Sequence, residues 1–301
     1  MICGRNLCND GGWCMIELSA GSARASIVPQ MGGALAGLWA GDLPVLRAWP
    51  GQKAEGPFAL ACNLLVPFSN RISAGGFAFE GRRHALTPNL PGEPYPLHGD
   101  GFQRAWQVDA LRMHSATLSL PDGQIGPYRY AARAVYDLGP MALEIRLSVT
   151  NRGDIALPFG LGLHPWFPRG PETRLQFMAE GQWPETADHL PATQHPVVLD
   201  RGGAWRCAAP LPDTWINMGF SGWNGQARIL QGAGAASVTL TASGLGTALV
   251  YAPSAAADFF CFEPVSHPVD AHNLPGQPGL VRLAPGQTLA ASMTLTWGQT
   301  A

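Results

Sequence analysis

The chain has 301 residues, 46% of them hydrophobic, which is enough for a large buried core and fits one large β domain as readily as two smaller ones. A formal net charge of -2, 13% charged residues and no basic run leave it without the electrostatic footprint of a nucleic-acid binder. Apolar runs such as "FALACNLLVPF" stop far short of a bilayer span, and "MICGRNLCNDGGWC" has no continuous apolar stretch of the signal-peptide kind, so a cytoplasmic protein without membrane contact is expected.

In chain order, residues 1–14 read as a loose N-terminal segment and 15–301 as a single domain. Cys3, Cys8 and Cys14 cluster at the start, but the six cysteines contain no C-x-x-C pair and no fourth ligand is apparent. Free thiols are therefore expected, with neither a disulfide framework nor a metal site. From Met15 to Arg47 apolar and polar residues alternate in short bursts broken at Pro29, Gly32, Gly33 and Gly41, the texture of opening β-strands. The same texture returns in "FAFEGRRHAL", "WQVDALRMHSATLSL", "ARILQGAGAASVTLTAS", "TALVYAP" and "SMTLTW". The clearest hairpin is "YRYAARAVYDLGPMALEIRLSVTN", aromatic and β-branched residues flanking an Asp-Leu-Gly-Pro turn.

Helical periodicity is nearly absent, and 37 glycines and 27 prolines are scattered rather than gathered into a linker. The expectation is one large all-β sandwich in two layers, with no repeat and no internal boundary. From about 183 to 215 the chain turns loop-rich, and long connections of this kind are often functional.

The signatures of P-loop, serine-hydrolase, zincin and dinucleotide-binding chemistry are missing. Four polar places stand out instead: Asn70 and Arg71 in "PFSNRI", His98 in "PYPLHGDGF", His164 in "PFGLGLHPWFP" and Glu263 in "DFFCFEPVSHP". A glutamate in an apolar strand is paired or used, and desolvation there raises its pKa toward that of a general base. Structural readings compete at each place: Glu263 satisfied by backbone donors or by Arg71, and His98 and His164 as hydrogen-bonded core residues. Taken together, one carboxylate, two histidines and an arginine suit a reaction that needs only proton transfers on a hydroxyl-rich ligand. His267, Asp270 and His272 in "SHPVDAHN" have no regular element to hold a ligand spacing and are read as a surface loop. Trp223 in "GFSGWNG" is either a sugar-facing aromatic or core packing.

The blocks "NLLVPFSNRISAGGFAFEGRRHAL", "LHGDGFQRAWQV", "LGLHPWFPR" and "FCFEPVSHPVDAHNLPGQPGLVRLAPGQT" stand in the order seen in the aldose 1-epimerases, or galactose mutarotases, and the chain resembles that family from about residue 15 to its end. The resemblance implies a galactose-mutarotase-like β-supersandwich that binds a small sugar and interconverts its anomers without a cofactor or a metal. It implies Glu263 as the base at the anomeric hydroxyl and His164 as the acid at the ring oxygen. His98 would stand near that oxygen, and Asn70 and Arg71 would contact sugar hydroxyls. Where the family carries an aspartate as a further sugar ligand this chain has Asn217, with Asp213 nearby as a substitute. Two other readings stay open: a hexose-6-phosphate epimerase, for which the basic residues Arg82, Arg83 and Arg169 are scattered candidates, and a sugar-binding or sensing domain that keeps the fold without catalysis.

Overall fold

The computed structural model describes residues 5–8, 14–49 and 56–298. Cys3 and the side chains of Cys8 and Cys14 fall outside that description, and with them the reading of the N-terminal thiols. Within the segment 1–14, Arg5–Cys8 forms a strand antiparallel to Cys14–Ala20. Among the described residues the regular structure is β with short 3-10 turns and no α-helix. None of their helices is long and apolar enough to cross a membrane.

Alternation along the sequence becomes alternation of burial. In Tyr128–Leu138 the residues Tyr128, Tyr130, Ala132, Ala134, Tyr136 and Leu138 are all buried, while their neighbours are partly or fully exposed. This strand pairs with Ala142–Asn151 from Leu138↔Leu143 to Tyr130↔Asn151 without a break. The turn is closed by the Gly139 N–H donating to the Ala142 carbonyl at 2.7 Å. Both strands belong to an eight-stranded sheet that packs against a twelve-stranded one, and two short two-stranded sheets complete the sandwich. One core joins the inner faces of the large sheets, with Tyr128, Tyr136, Phe68, Phe167, Phe260 and Phe262 fully buried. Each such side chain contributes roughly 1.5–3 kcal/mol by leaving water.

The functional surface is built on the other face of the larger sheet. Its strands Cys62–Leu65, Gly162–Pro168, Phe259–Val265, Thr247–Ala252 and Ile216–Ser221 lie side by side in that order. Leu163, Phe167, Phe260, Phe262, Val250 and Phe220 turn into the sandwich core. The alternate residues His164, Trp166, Glu263, Tyr251 and Asn217 therefore turn outward, where long connections wall them in. A strand buried on both faces reads as an apolar run, which is why "FFCFEPV" hides its period of two.

Candidate active site

The ladder pairs Gly162 with Val265 and Trp166 with Cys261, and that register carries His164 opposite Glu263 on the outer face. His164 Nε2 lies 3.4 Å from Glu263 Oε1. Glu263 Oε2 and His164 Nδ1 are buried and have no hydrogen-bond partner among the described residues. Burial pushes the Glu263 carboxyl up to about 8, against the lowering influence of Arg71. Burial likewise drives the His164 imidazole down to about 3, with its own carbonyl opposing and the charge of Arg47 assisting. Near neutral pH the pair without a ligand thus rests as carboxylic acid and uncharged imidazole. His164 stacks on Trp166 at 5.0 Å and 7° between planes, and the Arg47 guanidinium sits 4.1 Å from the Trp166 ring.

Asn70 and His98 hold one another. The Asn70 N–H donates to His98 Nδ1 at 2.9 Å, and the His98 N–H donates to the Asn70 carbonyl at 3.0 Å. Both take left-handed backbone, φ 57° and 60°, a conformation non-glycine residues keep only where surroundings enforce it. Because Nδ1 accepts, the ring proton sits on Nε2, and burial, then the nearby His164 and Arg71, hold His98 neutral with a pKa well below the ordinary value. The following Gly99 is required: at φ 69° a Cβ there would lie 2.0 Å from the Val66 carbonyl oxygen. Arg71 points its guanidinium at Glu93, Nη2 to Oε2 3.2 Å.

The segment "SHPVDAHN" is not the surface loop that its prolines suggested: His267, Asp270 and His272 are 1%, 8% and 3% exposed. It lies beneath the Ser69–Ser73 backbone and satisfies it. Asp270 accepts from the Ser73 N–H at 2.8 Å and from the Ser73 hydroxyl at 2.6 Å, and its own N–H donates to the Arg71 carbonyl. His267 Nε2 lies 3.1 Å from the Ser69 carbonyl oxygen, and His272 Nε2 lies 2.9 Å from the Tyr128 hydroxyl. Each group is engaged by a different partner, so the three do not converge as ligands.

The outer face opens into a cleft of about 590 Å³. His164, Trp166, Tyr251 and Glu263 line its floor, and Asn70, Arg71, Glu93 and His98 line one wall. The opposite wall comes largely from the turn-rich stretch, through Asp188, His189 and Trp215, with Asn217 beside them. Asn217 donates to Glu185 Oε2 at 2.7 Å, His189 Nδ1 lies 2.9 Å from the same oxygen, and the Trp215 indole N–H donates to Glu185 Oε1. Glu185 thereby sets the orientation of that wall. Asp213 is exposed and does not line the cleft, whereas Asn217 does.

Trp223 is corrected from a sugar-facing aromatic to a core residue. It is 4% exposed, donates to the Gln226 carbonyl at 2.8 Å and meets Phe262 edge-on at 5.4 Å. The aromatic at the cleft mouth is Trp215, 45% exposed and stacked on His189 at 5.3 Å. Sequence reading missed Trp166 and Tyr251, for which an alternation signal existed two residues from His164 and across from the Glu263 strand. It also missed Glu93, Glu185 and His189, which lie in loops that carry no such period.

The chain is similar to known proteins over nearly its whole length. The family model described as "Aldose 1-epimerase" matches residues 15–296. The chain is 38% identical over 288 residues, 92% of its length and 97% of the relative's, to the uncharacterized protein YphB of Escherichia coli K12. It superposes with a TM-score of 0.89 and 35% identity on a crystal structure from Escherichia coli K12 provisionally described as an aldose 1-epimerase, covering 96% of this chain and 100% of that one. A galactose mutarotase-like protein from Clostridium acetobutylicum shares the fold at TM-score 0.82 and 18% identity, over 98% of both chains.

Proposed function

The chain belongs to the aldose 1-epimerase family, and from that premise we propose that it interconverts the α and β anomers of a free aldose by opening and reclosing the hemiacetal ring. The observation that carries the reading is the His164–Glu263 pair, 3.4 Å apart at the floor of an open cleft, with Glu263 Oε2 and His164 Nδ1 otherwise unpartnered.

In this reading Glu263 takes the proton of the anomeric hydroxyl while His164 gives one to the ring oxygen. Rotation about C1–C2 in the open aldehyde exposes the other carbonyl face, and the reversed transfers close the ring. The neutral pair favoured without a ligand is the state that follows ring opening. Hydroxyl donors of a bound sugar stabilise the carboxylate, lower its pKa and return the proton to His164, which readies the pair for the cyclic form. Each transfer is worth about 10²- to 10⁴-fold. His98, with its proton on Nε2, is a fixed donor toward the ring oxygen, and Arg71, Asn70 and Asn217 serve the remaining hydroxyls. Trp215 offers a face for the sugar's C–H edge.

Charge favours an unphosphorylated sugar. Among the described residues Arg71 is the arginine of the lining and is already ion-paired with Glu93, so it has no charge to spare for a phosphate dianion, and Asp188 adds a carboxyl on the opposite wall. The test is polarimetry on freshly dissolved α-D-glucose and α-D-galactose with wild type, Glu263→Gln and His164→Asn. Wild type accelerates the drift to equilibrium, and both variants lose that gain while folded. A wild-type rate equal to buffer on a panel of free aldoses, together with exchange on glucose 6-phosphate, would overturn the free-sugar reading.

A further inference from the structure

Cys261 is buried behind the cleft lining, and the proton chemistry leaves it unused. It stands two positions before Glu263 on the strand Phe259–Val265 and so shares its face. Its ladder partners are Trp166 on one side and Tyr251 on the other, both of which line the cleft. Its chain neighbours Phe260 and Phe262 belong to the inner core, whereas Cys261, though buried, does not.

One ligand atom each from His164, Cys261 and Glu263 lies within 4.8 Å of the other two. An imidazole nitrogen, a sulfur and a carboxylate oxygen form the donor set of zinc-class cations, and the sulfur disfavours magnesium and calcium, which prefer oxygen alone. A second observation points to a ligand independently: Glu263 Oε2 is buried without a hydrogen-bond partner among the described residues, so a carboxylate lone pair at this spot is unspent. Tetrahedral ligands about zinc stand roughly 3.3–3.8 Å apart, so the His164–Glu263 separation of 3.4 Å already fits and the thiol must close by about 1 Å.

We propose that a zinc-class divalent cation binds reversibly at the cleft floor through His164, Cys261 and Glu263 and, on the reading of that pair as the acid and base, blocks anomer exchange. The metal takes the lone pairs that would carry protons, the Cys261 thiol proton and the Glu263 carboxyl proton leave to water, and the fourth coordination position opens to the cleft. His164 and Glu263 line the cleft and are the ligands that an ion arriving through it meets first.

The experiment titrates chelator-treated, desalted protein with Co²⁺ and then Zn²⁺ and reads absorbance and polarimetric rate. A thiolate-to-cobalt charge-transfer band that saturates at one equivalent and is displaced by Zn²⁺ is expected, with Zn²⁺ slowing exchange and chelator restoring it. Cys261→Ser, or Cys261→Ala if the serine variant misfolds by circular dichroism, keeps the basal rate, loses the band and requires at least about tenfold more Zn²⁺ for inhibition. A variant with serine at Cys3, Cys8, Cys14 and Cys207 keeps both. A band that survives in Cys261→Ser and vanishes in the four-serine variant overturns the site. A Cys261-dependent band with no effect of Zn²⁺ on a measurable rate overturns the part assigned to His164 and Glu263. A wild type with no exchange activity sinks the mutarotase reading instead, and the band still decides the metal site.

Discussion

His164 Nε2 and Glu263 Oε1 face each other at 3.4 Å across two antiparallel strands, with side chains only 7% and 5% exposed. Residues nearly a hundred positions apart are thus fixed by ladder geometry rather than by a mobile loop, which is the support a proton-transfer pair needs.

Glu263→Gln keeps the shape and removes the proton acceptor. We expect kcat for anomer exchange to fall about 10²- to 10⁴-fold with the fold intact, since the carboxylate is buried and its Oε2 has no partner to lose. Polarimetry beside a thermal melt checks this; a variant with near wild-type kcat would remove Glu263 from the chemistry.

Stability should bend with pH in a way that names these residues. Glu263, raised from 4.5 to about 8, binds more protons in the folded than in the unfolded chain across that window, so its contribution is whole below 4.5 and is lost as pH rises through 8. His164, lowered from 6.5 to about 3, and His267, lowered to about 4, act oppositely: their contribution is present above 6.5 and lost on acidification through those values. Between 4.5 and 6.5 the trends oppose each other; from 6.5 to 8 the Glu263 slope stands alone among these three. Melting temperature in wild type is expected to decline from pH 6.5 to 8.5 and in Glu263→Gln to stay level. Equal slopes in both would count against the raised carboxyl.

Asp270 does not line the cleft yet clamps its Arg71 wall, through Ser73 and through its own N–H to the Arg71 carbonyl. Asp270→Ala leaves the Ser73 donors without their acceptor and should cost about 1–3 kcal/mol. With the Asn70–Arg71 segment loosened, KM is expected to rise more than kcat falls, and Asp270→Asn, which keeps one acceptor, to recover part of the KM. A kcat loss at constant KM would contradict a positioning role.

Asn217→Asp restores a carboxylate where the family has one but places it at hydrogen-bond distance from Glu185. Like charges there should raise KM for aldoses several-fold and lower the melting point at neutral pH, with recovery in Glu185→Gln/Asn217→Asp. A single variant that binds sugar more tightly would show that Glu185 moves aside freely.

Several features were readable before any coordinates. Alternation identified the strands around the Asp-Leu-Gly-Pro turn, and the scarcity of helical period pointed to a sandwich. Polar residues stranded in apolar runs picked out Asn70, Arg71, His98, His164 and Glu263, all of which line one cleft. Local rules suffice there because side-chain parity and desolvation cost act within a few residues.

What the chain could not say locally, the tertiary structure decided. Parity tells that Trp223 and its neighbours alternate, but not which face of the sheet is wet; only the loops that cover the outer face put Trp215 at the cleft and Trp223 in the core. The prolines of "SHPVDAHN" look like a surface loop because the groups that satisfy its Asp270 and His267 lie about two hundred residues earlier, in Ser73 and Ser69. Register between distant strands, likewise non-local, sets His164 against Glu263 and brings Cys261 beside them. Sequence by itself determined which side chains were out of place in an apolar strand; the pairing of strands and the burial of loops determined what each of them meets.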